Sequence, residues 1–321
     1  MIKSSGLKGI VRSTVKNACM RLYRCSIPGK VNKIRRKEKI RVVFPLYDIS
    51  KWKTEHLYLA MKDHPRFEPE IVMTVRICDT PSQLILQAEK LKKYLDAKGY
   101  PYLESLRSFG SNYDIVIYQE PYPETMPPCQ DLYHNLDKLH ISVCYGTHIT
   151  CLPFEFFQPL HYYAWFDCYE NEASAQAAKS VIGNRRHNIL VTGLPMADTL
   201  LDPHSGDPWK VSEVKRKRII YAPHHSLDSE DEAIHYGTIL KYGDFILNLA
   251  RRHAATTQWA FKPHPLLRMK LEKAWGKSRT DAYYEGWQQL ENAQTETGAY
   301  SGLFSNRDAM IHDSCSIVTE Y

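Results

Sequence analysis

Histidine side chains follow two short apolar runs of the sequence, at the points where the runs end. His224 and His225 follow one run, and His264 follows the next. Prolines on both sides of His264 restrict its backbone, which suits a donor to phosphate or an acid for a leaving group. We expect at most one of the two adjacent histidines to face a ligand. No third ligand lies at helix spacing to complete a metal site there.

A second candidate phosphate site lies near the C-terminal end of the sequence. Ser314 and Ser316 follow the apolar run Ala309–His312, where the pattern predicts the start of a terminal helix. The free N–H groups and the dipole at a helix start bind phosphate, and the two hydroxyls add donors. Glu320 lies about one turn further on and could bind ribose hydroxyls. The same residues also fit an ordinary N-cap, so both interpretations stay open.

A third candidate site follows the apolar run His140–Tyr145. Gly146 would let the backbone approach a ligand closely, and Tyr145 or His148 could act on a hydroxyl proton. An ordinary turn at the end of a strand would show the same pattern. The eight cysteines form no CxxC pair and no Cys/His cluster at zinc spacing, so we expect no metal and no other cofactor.

Beyond residue 40, short apolar runs alternate with helical stretches. The predicted strands are Ile40–Leu46, Glu70–Val75, Asp114–Tyr118, His140–Tyr145, Tyr162–Phe166, Asn188–Thr192, Arg218–Tyr221, Gln258–Lys262 and Ala309–His312. The predicted helices are Thr54–Asp63, Ser82–Lys98, Glu172–Ile182, Ala233–His253 and Arg279–Ala293. This alternation indicates βαβ units in a parallel sheet, whose ligands bind at the carboxyl ends of the strands.

A stretch rich in proline and glycine, residues 193–208, predicts a domain boundary. It separates a basic arm (1–39) and a Rossmann-like domain (40–195) from a second Rossmann-like domain (205–321). The second domain is short, so we expect the sequence to be a fragment in which that domain is incomplete. The sequence contains no GxGxxG motif and no P-loop, which argues against a nicotinamide enzyme or a P-loop kinase.

Positive charge is concentrated at the start of the chain. Residues 1–40 hold twelve Lys and Arg and one acidic residue, a net +11, so the remainder carries −5 of the total +6. A folded body without net positive charge argues against a nucleic-acid partner. A basic arm of this kind favours an anionic surface.

The arm itself shows helical spacing of apolar residues between Leu7 and Tyr23, with basic residues on the other sides. Pro28 and Gly29 predict the end of this helix. The pattern is typical of an amphipathic helix on an anionic membrane, although a helix packed on the protein's own body would also fit. With no signal peptide, no spanning apolar run and scattered thiols, we expect a cytoplasmic protein, peripheral on the inner face of the cell membrane.

Taken in order, the motifs over roughly residues 110–321 resemble the CDP-glycerol glycerophosphotransferase family, which builds teichoic-acid and related polymers. Two elements depart from its pattern. Cys144-Tyr145-Gly146 stands where the family tends to have Trp-His-Gly. His312-Asp313-Ser314-Cys315-Ser316, followed by Glu320, resembles the family's T-D-x-S-S-x-x-x-E element, but His312 and Cys315 stand where that element has Thr and Ser. The other matching segments are Gly193-Leu194-Pro195-Met196-Ala197-Asp198, Tyr221-Ala222-Pro223 and Lys262-Pro263-His264-Pro265.

The resemblance implies two Rossmann-like domains of the glycosyltransferase-B type and transfer of glycerol phosphate from CDP-glycerol to a lipid-linked acceptor. It implies that His264 contacts the donor phosphates or protonates the departing CMP, that Ser316 holds phosphate and that Glu320 holds the ribose. The family's general base is the His of Trp-His-Gly. Tyr145 stands there, and His148 lies three residues further on as a possible substitute.

Three other functions fit the same pattern. One is a glycosyltransferase that uses a nucleotide-sugar for capsule or lipopolysaccharide synthesis, and a weaker one is a nucleotide-sugar epimerase of the same architecture. A third is a non-catalytic relative that uses the basic arm to recruit partners to a membrane. Turnover of a donor separates the last from the enzymes, and the identity of the donor separates the enzymes from one another.

Overall fold

The computed structural model describes residues 7–77, 79–122, 125–144, 146–148, 156–182, 188–201, 206–227, 235–296, 300–314 and 316–321. Side chains of residues 7–15, 182 and 316 are not part of this description. The chain forms two units, Met1–Met196 and Ala197–Tyr321. Each unit is built on a parallel sheet, which confirms the predicted α/β class.

The first unit contains a seven-stranded sheet in the order β3-β2-β1-β4-β5-β6-β7, in which every pair is parallel. Its strands are β1 (Ile40–Leu46), β2 (Phe67–Met73), β3 (Tyr102–Glu104), β4 (Ile115–Tyr118), β5 (Leu139–Val143), β6 (Phe166–Tyr169) and β7 (Ile189–Val191). Its helices are α1 (Leu7–Arg35), α2 (Glu55–Asp63), α3 (Pro81–Lys98), α4 (Pro159–Tyr163) and α5 (Glu172–Ile182), with 3-10 turns at Ile49–Lys51, Pro128–Gln130 and Leu132–His134.

The central strands of this sheet are apolar at nearly every position because both faces are covered. In β1, Val42, Val43 and Phe44 have no exposed surface. Val42 and Phe44 belong to the core on one face of the sheet, and Val43 belongs to a separate cluster on the other. Such strands read as continuous hydrophobic runs, which is why the sequence predicted them well.

Helix α1 is longer than predicted and packs on the first unit. Pro28 and Gly29 were expected to end it, but it continues to Arg35. Proline removes only one backbone donor, and the apolar side chains on either side of it contact the core. Met20, Tyr23 and Ile34 are buried against the unit. The part of α1 from Met20 to Ile34 is therefore packed on the protein's own body, which is one of the two alternatives that the sequence left open.

The predicted strand Tyr162–Phe166 is wrong in its first part. Residues 159–163 form α4, and β6 begins only at Phe166. Aromatic residues favour strands, but Pro159 at the first turn of α4 has the backbone conformation of a helix start. The short strand β3 and the helix α4 were not predicted. The same holds in the second unit for the strand Ala293–Thr295 and for the helices Ala197–Leu200, Leu267–Trp275 and Ser301–Ser305.

The second unit contains a four-stranded parallel sheet in the order β10-β9-β8-β11. Its strands are β8 (Lys217–Ala222), β9 (Thr257–Phe261), β10 (Ala293–Thr295) and β11 (Ala309–His312). Its helices are α6 (Ala197–Leu200), α7 (Ile239–Arg252), α8 (Leu267–Trp275), α9 (Lys277–Gln288) and α10 (Ser301–Ser305). The helix predicted to run to Ala293 ends at Gln288, because Ala293 already pairs in the sheet.

The predicted terminal helix is a 3-10 helix of four residues, Ser316–Thr319.

Aromatic stacking stabilises the core of the second unit. The ring centroid of Phe261 lies 5.1 Å from that of Trp287 and 5.9 Å from that of Tyr221. Within the described ranges, no helix is both long and apolar enough to cross a bilayer.

His140 links α1 to the sheet of the first unit and is fully buried in β5. Its backbone N–H donates to the Tyr23 hydroxyl at 3.2 Å, and its Nε2 lies 2.8 Å from the Asn135 carbonyl oxygen. Nδ1 has no hydrogen-bond partner among the described residues. Burial, which outweighs the contact with Asn135, lowers the pKa of His140 to about 3. His140 is therefore neutral, with its proton on Nε2.

The neutral state of His140 makes the first unit sensitive to acid. In the unfolded chain, His140 binds a proton near pH 6.5, whereas in the folded unit it does so only near pH 3. Its contribution to stability is complete above pH 6.5 and is lost as the pH falls from there towards 3. Between pH 7 and pH 5 we expect a loss of about 2 kcal/mol in the free energy of unfolding.

Urea unfolding at pH 7 and pH 5 measures this loss in the free energy of unfolding. Hydrogen exchange of the β5 amides at the same two pH values measures it at the strand that carries His140. His140→Gln should flatten the pH dependence, whereas His64→Gln, at an exposed position of the same unit, should leave it unchanged. An equal pH dependence in wild type and His140→Gln would contradict a buried neutral imidazole.

Candidate functional site

The carboxyl edge of the second sheet brings the three predicted histidines together. The register of β8 and β9 pairs Tyr221 with Phe261, and His224 and His264 each lie three residues beyond these partners. The ring centroids of His224 and His225 are 4.4 Å apart, those of His225 and His264 are 4.1 Å apart, and those of His224 and His264 are 6.0 Å apart. The rings of the two adjacent histidines stack on each other, and the expectation that at most one of them faces a ligand stays a prediction.

Local hydrogen bonds set the tautomer of each imidazole in this cluster. The N–H of Ser226 donates to Nδ1 of His224 at 3.0 Å, and the N–H of Leu266 donates to Nδ1 of His264 at 3.1 Å. Each neutral ring that accepts at Nδ1 carries its proton on Nε2. These turns therefore orient both side chains as N–H donors.

Lys270, on α8, adds a positive charge to the cluster. Its Nζ donates to Nδ1 of His225 at 3.2 Å, so the same tautomer is set for the third ring. All three histidines and Lys270 are partly buried. We name these four residues, His224, His225, His264 and Lys270, the histidine–lysine cluster. A cluster of N–H donors and one ammonium is suited to bind an anion such as phosphate.

Asp313 ties the end of β11 to the loop that carries the cluster. Its carboxylate accepts hydrogen bonds from the N–H of His224 at 3.3 Å, and from the N–H and hydroxyl of Thr238 at 3.0 and 2.6 Å. These bonds join the loop after β8 to the start of α7. Asp313 is therefore a positioning residue for His224.

The predicted phosphate loop after β11 differs from the expected helix start. Ser314 is exposed, with a left-handed backbone (φ 54°), and its N–H donates to Nδ1 of His312. Ser316 begins a 3-10 helix of four residues, and its side chain lies outside the described part of the chain. A helix this short has a small dipole, so the electrostatic argument for phosphate binding is weaker than expected.

Glu320 is joined to the neighbourhood of His264 through Tyr300. The Tyr300 hydroxyl donates to the Glu320 carboxylate, and Nζ of Lys262 lies 4.8 Å from the centroid of the Tyr300 ring. Lys262 is two residues before His264. The three strand-end segments of the second unit that carry predicted site residues therefore share one edge of its sheet.

The carboxyl edge of the first sheet holds the remaining predicted residues. Cys144 and Gly146 follow β5, and His148 follows two residues later; Tyr145 lies outside the described residues. Nδ1 of His148 lies 3.7 Å from Sγ of Cys144 and 3.2 Å from Oε2 of Glu170. Glu170 directly follows β6, the parallel neighbour of β5.

Glu170 and His148 hold each other in charged states. Burial disfavours the imidazolium, but the contacts with Cys144 and Glu170 outweigh it and raise the pKa of His148 to about 10. Burial likewise disfavours the carboxylate, but hydrogen bonds from His148 and Ser174 lower the pKa of Glu170 to about 2. At neutral pH, His148 in this pair carries a proton on Nδ1 and is not a proton acceptor.

Aromatic rings fix the orientation of the His148 side chain. Its ring stacks on Phe156 with centroids 5.2 Å apart, and Tyr169 lies 5.4 Å away. Only 16% of the His148 side chain and 3% of the Glu170 side chain is exposed. The imidazole therefore lies in a largely apolar wall, with Glu170 as its charged partner.

A further polar cluster includes Tyr47 and Lys51, which follow β1. Nζ of Lys51 is 2.5 Å from Oε1 of Glu120, and the Tyr47 hydroxyl donates to Oε2 of Glu120 at 2.5 Å. Together with Thr74 and Met126, these residues line a small cavity at the carboxyl ends of β1, β2 and β4.

Glu170, Glu120 and Lys270 were not singled out from the sequence. Glu170 directly follows β6 and Glu120 lies two residues after β4, so the rule that found the histidines could also have found them. Lys270 carries no such signal, because it lies inside a helix that the sequence pattern did not predict. The structure does not bring Gly146 and His148 onto the sheet that carries the histidine–lysine cluster.

Comparisons with known proteins identify the fold. No protein-family model matches the chain, and no curated protein matches it. A variant of the wall teichoic acid polymerase TagF is 16% identical with a TM-score of 0.56, over 97% of this chain and 74% of that one. The Methanocaldococcus jannaschii UDP-GlcNAc 2-epimerase, in complex with UDP-GlcNAc and UDP, is 12% identical with a TM-score of 0.54, over 87% and 80% of the chains.

The UDP-GlcNAc 2-epimerase from Neisseria meningitidis, bound to UDP-GlcNAc, is 13% identical with a TM-score of 0.51, over 86% of this chain and 77% of that one. At these identities the likeness shows the fold alone. The chain has a glycosyltransferase-B-like fold with two Rossmann-like units, as the sequence predicted.

The histidine–lysine cluster should bind inorganic pyrophosphate, and Lys270 should contribute much of the affinity. Loss of one charged donor costs about 1.5 kcal/mol or more, so Lys270→Met should weaken binding about tenfold. Calorimetric titration with pyrophosphate measures the change. Lys273→Met, at an exposed position of the same helix, is the matched control and should bind as wild type does. Equal affinity in both variants would show that the anion binds elsewhere.

Proposed function

We propose that the chain is a transferase that takes glycerol phosphate from CDP-glycerol and passes it to a lipid-linked acceptor. The observation that carries this proposal is the histidine–lysine cluster at the carboxyl edge of the second sheet. Ligands of parallel α/β sheets bind at this edge. The proposal assigns the diphosphate of the donor to the cluster and the acceptor to the first unit.

The chemistry of the cluster fits a diphosphate. Transfer to or from phosphorus depends mainly on positioning and on neutralising charge on the phosphate oxygens. His224, His225 and His264 present N–H donors. The tautomer of each ring is set by a backbone N–H or by Lys270. An ammonium and several oriented N–H groups could supply both functions at neutral pH.

His264 has the role with the most direct chemical consequence. Pro263 and Pro265 restrict its backbone, and its Nδ1 is occupied by the N–H of Leu266. Its Nε2–H would therefore donate to the bridging or terminal oxygens of the donor, and would pass a proton to the departing CMP. Ser314 and Ser316 would bind phosphate from the loop after β11.

Glu320 would bind the ribose of the donor. In the present structure its carboxylate accepts from the Tyr300 hydroxyl. Ribose hydroxyls offer the same kind of donor, so the nucleoside would compete with Tyr300 for the carboxylate. This exchange would couple nucleoside binding to the position of Tyr300.

In the first unit, Gly146 and His148 would lie beside the acceptor. The pair with Glu170 keeps His148 protonated, so its role would be to hold an acceptor phosphate by charge rather than to remove a proton. Tyr145 remains the other candidate for acting on the proton of the acceptor hydroxyl. This assignment departs from the family pattern, in which a histidine at that position is the base.

The basic face of α1 would bring the chain to the acceptor at the inner face of the cell membrane. Although Tyr23 and Ile34 face the protein, Arg21, Arg24 and Lys33 are exposed, and Leu22 is 71% exposed. Each basic residue near an anionic leaflet contributes about 1 kcal/mol to binding. We therefore propose peripheral attachment through the outward face of this helix.

The wall teichoic acid polymerase TagF shares the fold, and the motif order resembles the CDP-glycerol family; both support the proposed donor. The second candidate is a glycosyltransferase that uses a nucleotide-sugar. It is favoured by the structural likeness to two epimerases that bind UDP-GlcNAc. Both candidates use the same diphosphate-binding edge and differ in the group that is transferred.

A turnover assay separates these candidates. The full chain is incubated with CDP-glycerol, CDP-ribitol or UDP-GlcNAc and with membranes as acceptor source, and free nucleotide is measured. We expect release of CMP from CDP-glycerol. His264→Gln should lower the rate by about 100-fold or more, the usual contribution of a positioned acid.

The matched control is His253→Gln, which replaces an exposed histidine of the same unit and should leave the rate unchanged. Release of UDP from UDP-GlcNAc alone would establish the glycosyltransferase instead. No turnover of any donor by the folded chain would leave the non-catalytic alternative.

A further inference from the structure

We propose that Cys144, His148 and Glu170 form a binding site for a divalent transition-metal ion such as Zn²⁺. The three residues lie at the carboxyl edge of the first sheet, and one ligand atom from each lies within 4.8 Å of the others. The sequence does not reveal this site, because Glu170 is 22 residues from His148 and joins it only through the pairing of β5 and β6. When the ion is bound it takes the place of the His148 proton, and the positive charge that the proposed function assigns to His148 is then supplied by the ion.

Two of the distances between the ligand atoms fit a tetrahedral ion. With Zn–S of about 2.3 Å and Zn–N and Zn–O of about 2.0 Å, tetrahedral geometry requires about 3.5 Å between sulfur and nitrogen and about 3.3 Å between nitrogen and oxygen. The structure has 3.7 Å from Cys144 Sγ to His148 Nδ1 and 3.2 Å from His148 Nδ1 to Glu170 Oε2. Small movements of the side chains would complete the site.

The convergence of both contacts on one ring nitrogen also favours an ion. In a catalytic triad, the two partners of a histidine use different ring nitrogens, so that a proton can pass through the ring. Here the thiol and the carboxylate both face Nδ1 of His148. One proton on Nδ1 can point to only one of them, whereas a metal ion between the three atoms bonds to all of them.

Neighbouring groups hold the ligands in place. Oε1 of Glu170 accepts from the Ser174 hydroxyl at 2.6 Å and from the His148 N–H at 2.8 Å, while Oε2 faces the imidazole. Phe156 and Tyr169 pack on the ring of His148. Partners of this kind orient ligands and raise metal affinity.

The ligand set determines which ions fit. A thiolate, an imidazole and a carboxylate suit zinc or cobalt and are poor ligands for Mg²⁺ or Ca²⁺. The ion would replace two protons, one from Nδ1 of His148 and one from the Cys144 thiol, which donates to the Gly146 carbonyl in the present structure. Three protein ligands leave the fourth tetrahedral position for water or a substrate oxygen.

Titration of the chelator-treated full chain with Co²⁺ tests the proposal, because a thiolate–cobalt bond gives a charge-transfer absorption band. We expect one equivalent to bind with such a band. Cys144→Ser should abolish the band, and Glu170→Gln should weaken binding about 100-fold. Ser174→Ala, which removes only a supporting hydroxyl, should weaken it about tenfold.

Cys25→Ser, at an exposed position of α1, is the control and should behave as wild type does. Circular dichroism establishes that each variant is folded, and Ser174→Ala keeps the test valid if a ligand variant unfolds. Absence of the band in wild type, or its persistence in Cys144→Ser, would overturn the proposal.

Discussion

The register of parallel strands is the constraint on which the sites of this protein depend. Hydrogen bonds between β8 and β9 pair Tyr221 with Phe261, so the chain leaves both strands at the same level and His224 lies beside His264. The pairing of Val143 with Cys168 similarly brings Cys144 towards Glu170. A shift of either register by one residue would turn these side chains to the opposite face and separate the groups.

The two sheet edges differ in the charge that they can accommodate. The edge of the second sheet presents three imidazole N–H groups and Lys270, with the Asp313 carboxylate occupied by the loop that it positions. The edge of the first sheet presents a thiol, an imidazole and the Glu170 carboxylate. The first arrangement suits an anion and the second suits a cation, although both lie where α/β sheets bind ligands.

Strand ends could be predicted from the sequence because fully buried parallel strands read as apolar runs; Ala309–His312 matches β11 at both ends. His224, His225 and His264 were found in this way. The structure added what depends on tertiary contacts. Lys270 reaches His225 from a helix whose sequence pattern is weak, and α1 passes Pro28 because packing on both sides of it outweighs one lost hydrogen bond.

We propose that the second unit binds the diphosphate of a nucleotide at the histidine–lysine cluster. A crystal structure of the chain with CDP tests it most directly. We expect phosphate oxygens within hydrogen-bonding distance of His225, His264 and Lys270, with the ribose near Glu320. A nucleotide whose phosphates lie away from this edge, for example at the carboxyl edge of the first sheet, would contradict it.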